Sequence, residues 1–149
     1  MTTTQALIAP VLFSQISDAP ERGLLPAGLH SAAAPELYAL DAQPIEQVSS
    51  GLQRQYLNGT NMTFVKWIAK KGATVPLQHH VNEQFTWITQ GACEVYSQGK
   101  KYWMKSGDVM LIPANIPHEF IFVEDTIDID IFAPGRQDWI DAAMINRPK

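Results

Sequence analysis

From residue 45 onward, apolar and polar residues alternate in short runs that are separated by turn-forming residues. Alternation with a period of two is typical of β-strands that bury one face. The turn signals include Asn58-Gly59 and Gln90-Gly91. The pattern predicts ten strands: Glu46–Val48, Gln53–Leu57, Thr63–Ala69, Thr74–Leu77, Phe85–Thr89, Glu94–Ser97, Lys101–Met104, Asp108–Ile112, Glu119–Val123 and Ile127–Ile131. No helical segment separates them, so the sequence predicts an all-β domain closed as a double-sheet jelly roll.

The two ends of the chain differ from this β-rich region. Residues 1–43 are rich in Ala, Pro and Thr, and their prolines are too closely spaced for a long helix. We expect an extended arm that lies on the barrel or on a neighbouring subunit, and its apolar side chains need burial, which favours a homodimer. At the other end, the apolar spacing over Arg136–Ile145 predicts one short helix. The predicted division is an arm at 1–43, a barrel at 44–134 and a tail at 135–149.

The composition narrows the class of function. A length of 149 residues predicts one domain with a real hydrophobic core. The net charge of -4 argues against binding to nucleic acid or to an anionic membrane surface. No apolar run approaches the ~20 residues of a membrane helix. The single cysteine, Cys93, excludes an intramolecular disulfide, and we expect a buried, inert thiol. The chain lacks a basic region before its first apolar residues, so a cytoplasmic location is predicted.

One stretch, residues 72–122, carries the residues best suited to binding chemistry. Gln78, His80 and Gln84 lie near its start, and His118 lies near its end. Short predicted strands and turns fill the interval between them, so closure of a barrel brings these residues together. Imidazole nitrogens and amide oxygens both bind divalent metals. The stretch therefore predicts a metal pocket to which two strand pairs contribute ligands.

The adjacent residues His79 and His80 leave two strand registers open. Neighbouring residues of a strand face opposite sides, so only one of the two rings can point into a barrel. The local pattern of polar and apolar residues does not decide which one. The first register directs Gln78, His80 and Gln84 inward, whereas the second directs Leu77, His79 and Glu83 inward.

The spacing of these residues resembles the two sequence motifs of the cupin family. The first motif contains two histidines and a Glu or Gln between flanking glycines, and the second contains Gly, Pro, Gly, His and Asn. The first falls on Gly72, Gln78, His80, Gln84 and Gly91 with every spacing kept, and the second falls on Gly107, Pro113, Asn115, His118 and Phe122. Asn in place of the second Gly is physically acceptable, because Asn tolerates the left-handed backbone conformation.

This resemblance implies the first register and a divalent transition metal (Fe, Mn, Ni, Co or Zn) bound by Gln78, His80, Gln84 and His118. Gln78 stands where the family usually has its first histidine. Two alternatives therefore stay open. A bulge in the strand brings His79 beside His80, or the metal is lost and the pocket serves another ligand. Neutral ligands leave the charge of a bound metal uncompensated, which strengthens it as a Lewis acid.

A second group of polar residues lies in the last predicted strand and just beyond it. Asp128 and Asp130 face the same side of this strand. Either they form a solvent-facing charged face with the alternate isoleucines in the core, or they line the barrel, where Asp130 is a candidate general base. Arg136 follows a Pro-Gly turn, and its guanidinium group is a candidate for bidentate binding of a carboxylate.

The segment from Asp130 to Asp138 reads Asp-x-Phe-x-Pro-x-Arg-x-Asp and resembles that of the KdgF-type uronate-ketonising cupins of pectin and alginate breakdown. The resemblance implies a metal-dependent enzyme in which Asp130 transfers protons, Arg136 binds the substrate carboxylate and Phe132 forms a wall. It implies isomerase or lyase chemistry on a small carboxylated hydroxy substrate such as an unsaturated uronate. The alternatives are an Fe(II)-dependent dioxygenase, a secondary-metabolite cyclase or dehydratase, and a non-catalytic small-molecule-binding cupin.

Overall fold

The computed structural model describes residues 34–145, with side chains up to residue 142. The chain divides into two units, residues 1–37 and 38–149. Of the first unit only residues 34–37 are described, and they have no regular secondary structure. Most of the predicted arm therefore lies outside the described residues. The same holds for the apolar side chains from which the homodimer is inferred, so the arm, the dimer and the domain boundaries stay predictions.

In the described part of the chain, ten strands and one α-helix follow a single-turn 3-10 helix at Leu40–Ala42. All ten predicted strands form, and none of their boundaries differs from the prediction by more than two residues. The elements are β1 (Glu46–Ser49), β2 (Leu52–Asn58), β3 (Thr63–Ala69), β4 (Thr74–Gln78), β5 (Glu83–Gln90), β6 (Ala92–Ser97), β7 (Lys100–Lys105), β8 (Val109–Ile112), β9 (His118–Phe122), β10 (Thr126–Ala133) and α1 (Gln137–Ile145).

The strands form two antiparallel sheets. The six-stranded sheet has the order β1-β2-β3-β10-β5-β8, and the four-stranded sheet has the order β4-β9-β6-β7. Strands distant in sequence are neighbours in both sheets, as expected when a chain winds between two faces of a jelly roll. The prediction of an all-β jelly-roll barrel with a short C-terminal helix is confirmed.

Alternation along β3 shows why these residues form strands. Thr63, Val65, Trp67 and Ala69 are buried, whereas the residues between them are half-buried. This period of two places one face of the strand on the core. Similar inward faces of the other strands complete a core that includes Leu52, Ile88, Cys93, Val95, Met104, Ile112, Phe120, Phe122 and Phe132.

Strand β10 lies between β3 and β5 in the centre of the larger sheet. Its inward face carries Asp128 and Asp130, which are 2% and 4% exposed, together with Phe132. Ile131, on the opposite face, is exposed. The interpretation with solvent-facing aspartates is therefore wrong, although Ile129 on the opposite face is also buried. The sequence pattern does not show the reason, which is that Trp67 on β3 and Thr86 on β5 donate hydrogen bonds to the carboxylate of Asp130.

Helix α1 closes one side of the barrel interior through Trp139. The indole of Trp139 makes edge-on contacts with Tyr56, Trp67 and Phe132, at centroid distances of 5.7, 5.9 and 5.5 Å. Such aromatic contacts contribute beyond the burial of apolar area. They attach a short helix, which is not stable on its own, to the sheet that carries the site residues. Within the described residues, no helix is long and apolar enough to cross a membrane.

The turn before β6 depends on a glycine, and this generates a stability prediction. Gly91 has a φ of +83°, and an added Cβ would lie 2.6 Å from Thr126 Oγ1 and 2.8 Å from Thr126 Cα, and would also overlap the backbone oxygen of Asp125. We expect Gly91→Ala to lower the free energy of unfolding by about 3 kcal/mol or more, since strain and steric overlap add.

Gly99→Ala is the matched control for this substitution. Gly99 also has a positive φ, +73°, but no atom lies within 4 Å of the added Cβ. This variant should lose only about 1 kcal/mol, which is the conformational cost alone. Urea unfolding of both variants measures the difference. Equal losses of unfolding free energy in the two variants would show that the structure relieves the close contact at Gly91 at no cost.

Candidate functional site

A cavity of about 140 Å³ lies between the two sheets and is closed on one side by α1. Its size limits an occupant to a small molecule. Polar and aromatic side chains line it, as is typical of a small-ligand site. The lining residues are Ser49, Leu52, Arg54, Trp67, Thr74, Val75, Pro76, Gln78, Gln84, Phe120, Asp128, Asp130, Phe132, Arg136 and Trp139.

The structure adopts the first of the two registers. Gln78 is half-buried and lines the cavity, and it pairs with His118 across β4 and β9. Gln84 and His118 are buried, and His80 is half-buried. The second register is wrong, because its three inward candidates are exposed: Leu77, His79 and Glu83. The β4–β9 pairing is irregular between Val75 and Gln78, but this irregularity leaves the side chain of His79 outside.

The rings of His80 and His118 are both oriented by backbone carbonyl groups. His80 Nδ1 lies 2.9 Å from the carbonyl oxygen of Asn82, and His118 Nδ1 lies 2.8 Å from that of Ile116. A carbonyl can only accept a hydrogen bond, so Nδ1 carries the proton in each ring. The lone pair of each neutral ring is therefore on Nε2. The two rings meet edge-on, with centroids 5.1 Å apart.

Gln84 presents its amide oxygen to His80. Its Nε2 donates to Thr86 Oγ1 at 2.8 Å, and Thr86 in turn donates its only hydroxyl proton to Asp130 Oδ1 at 2.6 Å. The amide orientation is thereby fixed, and Gln84 Oε1 lies 3.1 Å from His80 Nε2. Two acceptor atoms thus face each other. Burial lowers the pKa of His80, which favours the neutral ring and leaves no proton between the two atoms.

His118 Nε2 is a third acceptor atom, in addition to His80 Nε2 and Gln84 Oε1. Its ring is fully buried, and Nε2 has no hydrogen-bond partner among the described residues. Burial also lowers the pKa of His118, so this nitrogen is a lone-pair donor. An unpartnered buried polar atom is costly and calls for a ligand. A divalent cation would satisfy His118 Nε2 and would relieve the repulsion between His80 and Gln84 at the same time.

The donor set fits a divalent metal that is bound through neutral groups. Within residues 34–145, no three His, Cys, Asp or Glu side chains converge as metal ligands, so a metal here depends on glutamine oxygens in addition to the two histidines. Gln84 meets this need, because its oxygen is already turned toward His80. Gln78 lies opposite His118 in the strand pairing and at the cavity wall. The hydrogen bonds from both rings to carbonyl groups are the outer interactions that orient metal-binding histidines in proteins.

Asp128 and Asp130 form a buried acid pair beside this group. Burial raises the pKa of Asp130 to about 6, although hydrogen bonds from Thr86 and Trp67 lower it. The indole Nε1 of Trp67 donates to Asp130 Oδ2 at 2.7 Å. Burial, followed by the charge of Asp130, raises the pKa of Asp128 well above its usual value. The Oδ1 atom of Asp128 has no hydrogen-bond partner among the described residues.

Arg136 is buried at the cavity wall, but one edge of its guanidinium group is already occupied. Its Nε and Nη2 donate to the two carboxylate oxygens of Asp138, at 3.0 and 2.7 Å. Its Cζ lies 4.9 Å from the ring centroid of Phe132 and 4.2 Å from that of Trp139. The backbone N–H of Arg136 also donates to Thr63 Oγ1. The bidentate edge next to Nε is thus taken by the protein, and Nη1 is left for a ligand.

Sequence reasoning assigned no specific role to several residues of the site. Thr86 and Trp67 bind the carboxylate of Asp130, and Trp139 covers the cavity. Arg54 also lines the cavity, from β2. A charged residue placed between the apolar residues at 52 and 56 of one strand is the signal that could have identified Arg54. By contrast, the expectation for Cys93 agrees with the structure. Its side chain is buried, and burial raises the pKa of its thiol to about 12.

The two-sheet antiparallel barrel, with His80 and His118 between the sheets, is a cupin fold. Residues 65–132 match the Cupin_2 family, whose description is "Cupin domain". This match spans β3 to β10 and so includes every predicted metal ligand and Asp130. The predicted resemblance to cupins is confirmed.

The chain is also similar to individual cupins of known sequence and structure. The chain is 27% identical to the pectin degradation protein KdgF of Dickeya dadantii (strain 3937) over 103 residues, which is 67% of this chain and 94% of that protein. The solved structure of KdgF from Halomonas sp. aligns with a TM-score of 0.66 at 27% identity, and covers 70% of this chain and 99% of that one. An RmlC-like cupin from Shewanella frigidimarina aligns equally well, at 26% identity over 71% and 96% of the two chains. The predicted likeness to KdgF-type cupins is confirmed.

The acceptor atoms that face each other lead to a prediction for metal content. Untagged protein should contain about one divalent transition-metal ion per chain, because neutral His80 and His118 both present Nε2. His80→Ala and His118→Ala should each lose most of this metal, as measured by inductively coupled plasma mass spectrometry. His79→Ala is the matched control and should keep it, since that ring is exposed. Absence of metal from the parent even after incubation with divalent metal salts would contradict the assignment.

Proposed function

We propose that this protein is a metal-dependent cupin enzyme that catalyses proton-transfer chemistry, of the isomerase or lyase type, on a small carboxylated hydroxy substrate. A 4,5-unsaturated monouronate is the specific substrate. One observation carries the proposal. An unbroken chain of hydrogen bonds runs from the amide of Gln84, whose oxygen faces His80, through Thr86 to the carboxylate of Asp130. A group that can move protons is thereby held beside the candidate metal ligands.

The comparisons support the choice of substrate class. The KdgF protein of Dickeya dadantii is named for pectin degradation, and its likeness to this chain extends over 94% of its length. Pectin is a polymer of uronic acids, so the products of its breakdown are small hydroxylated carboxylates. The cavity of about 140 Å³ accepts only a small molecule and contains arginine side chains that suit an acid.

The metal would be held by Gln78, His80, Gln84 and His118. When bound, it would supply a Lewis acid that stabilises negative charge developing on a substrate oxygen. The protein supplies the rest of the arrangement. Arg136 donates from Nη1 to the substrate carboxylate, while Asp138 holds the other edge of the guanidinium group. Phe132 lies between Arg136 and His80 as a wall, 5.3 Å from the His80 ring by centroids.

Asp130 is the residue that takes up or delivers the proton. Trp67 and Thr86 both donate to its carboxylate, one to each oxygen, so the group cannot rotate freely. A fixed carboxylate next to the substrate is the arrangement that general acid–base catalysis requires. The adjacent acid, Asp128, lines the same cavity and is paired with Asp130. Burial of both groups keeps water from competing for the proton.

An Fe(II)-dependent dioxygenase receives less support from the ligand set. Oxygenases of that class commonly bind iron through two histidines and one carboxylate. Here the candidate ligands next to the two histidines are glutamines, and the nearby Asp130 is engaged by Trp67 and Thr86. A cyclase, a dehydratase or a non-catalytic binding protein would require a different occupant for the same cavity. The substrate test below separates these alternatives from the proposed activity.

The proposed role of Asp130 leads to an activity prediction. The parent protein, loaded with metal, should remove the ultraviolet absorbance of the C4–C5 double bond of 4,5-unsaturated galacturonate. Asp130→Asn should lower kcat by roughly a hundredfold to ten-thousandfold, because the amide cannot accept the proton. Circular dichroism checks that the variant keeps its fold.

Asp108→Asn is the matched control for this variant. Asp108 lies in the turn before β8 and interacts with Lys105, away from the cavity. Removal of the charge of Asp108 should leave kcat unchanged. A parent that does not consume the unsaturated uronate would exclude the proposed substrate. A fully active Asp130→Asn variant would exclude Asp130 as the proton-transfer residue.

A further inference from the structure

Arg54 of β2 lines the same cavity as Arg136, and the proposed mechanism gives it no role. Its side chain is 16% exposed and lies on the inward side of the strand, between Leu52 and Tyr56. Burial of a guanidinium group is costly unless hydrogen bonds and charges compensate for it. An apolar residue at this position would pack against the same neighbours without that cost. The presence of arginine therefore calls for a function.

The contacts of Arg54 hold it in one orientation. Its Nε donates to Glu46 Oε2 at 2.8 Å, and its Cζ lies 3.9 Å from the ring centroid of Trp139. Two further rings are close to Cζ, those of Tyr56 at 5.1 Å and Trp67 at 5.8 Å. Stacking on an aromatic face is favourable for arginine and restricts its rotation. No acceptor among the described residues binds its terminal nitrogens, Nη1 and Nη2, so this edge is available to a ligand.

Arg54 and Arg136 are built into the cavity in the same way. Each stacks on Trp139, with Cζ 3.9 and 4.2 Å from one ring centroid, so their Cζ atoms lie within about 8 Å of each other. Each also donates to one carboxylate at the rim of the cavity, Glu46 or Asp138, whose side chain is 41% or 60% exposed. Because each guanidinium is already paired with a carboxylate, the two together do not require a dianion. They offer oriented donors at two positions of one cavity.

We propose that Arg54 is a second substrate-binding residue, which donates hydrogen bonds to the hydroxyl oxygens of a hydroxylated monocarboxylate whose carboxylate is bound by Arg136. This inference rests on the proposed function, because it uses the role assigned there to Arg136. Arg54 binds the end of the substrate that bears hydroxyl groups. It thereby distinguishes a sugar acid from a simple carboxylate of similar charge.

The test compares two probes on the metal-loaded protein by titration calorimetry. D-Galacturonate carries both a carboxylate and hydroxyl groups, whereas propanoate carries only the carboxylate. Arg54→Met keeps an unbranched stem against Trp139 and should weaken D-galacturonate binding by roughly tenfold to a hundredfold, the value of a hydrogen bond from a charged donor. Its propanoate binding should be unchanged. Arg136→Met should weaken the binding of both probes.

Two further variants control for charge and for folding. Arg54→Lys keeps the charge but not the planar pair of donors, and it should also lose most of the preference for D-galacturonate. Lys101→Met removes a positive charge from an ion pair with Glu94 on the other sheet and should behave as the parent. On 4,5-unsaturated galacturonate, Arg54→Met should raise KM with little change in kcat. Urea unfolding of each variant checks the stability of the fold.

Three results would overturn the inference. D-Galacturonate binding that is unchanged in Arg54→Met would show that the residue does not contact the ligand. Equal losses for both probes would show a structural role. Tighter binding of galactarate, a dicarboxylate, than of D-galacturonate, with the gain lost in Arg54→Met, would show that Arg54 binds a second carboxylate instead. Binding that depends on Arg54 without turnover of the uronate would refute the proposed reaction alone.

Discussion

The site depends on the direction of the hydrogen bonds around Thr86. The indole of Trp67 can only donate and an ionised carboxylate can only accept, so the indole fixes one oxygen of Asp130. Thr86 has a single hydroxyl proton and gives it to the other oxygen. The hydroxyl can then only accept from Gln84, whose amide has to turn its oxygen toward His80. The order of donors and acceptors therefore determines that acceptor atoms converge where a cation fits.

The positive charges of the two cavity arginines are balanced by carboxylates at the rim of the cavity. Arg54 and Arg136 stack on Trp139 and are each paired with a carboxylate that is more exposed than the arginine itself. This placement avoids the high cost of two fully buried ion pairs, because water still solvates the acidic partner. It also makes α1 part of the site, since the helix supplies Trp139 and the acid that pairs with Arg136. The helix is short, and the contacts of Trp139 hold it against the barrel.

The strands could be predicted from sequence because they depend on local patterns, and alternation and turn residues located all ten of them. The local pattern did not decide the register at His79 and His80. The resemblance of residues 72–91 to the first cupin motif implied Gln78, His80 and Gln84, and His79 is exposed in the structure. The orientation of β10 could not be predicted, because isoleucine and aspartate alternate along it and either face is plausible for a strand. Its partners on β3 and β5 decide the matter, and they are more than forty residues away in sequence. The place of Arg54 between the apolar residues 52 and 56 was a local signal, but its contact with Trp139 of α1 is long-range and could not be predicted from sequence.

Glutamine at position 78 makes this site a weaker set of metal ligands than it would be with a histidine there. An amide oxygen is a weaker ligand than imidazole for late transition metals, so affinity has to come from the arrangement of the other groups. Here that arrangement is already made: both rings are held by carbonyl groups, and the amide of Gln84 is held by Thr86. A donor set that does not have to reorganise loses less entropy when a ligand binds. It is also uncharged, so a metal bound by it would keep its full positive charge. The same hydrogen bonds that hold the ligands hold Asp130, so metal affinity and proton transfer are expected to respond together to changes at Thr86.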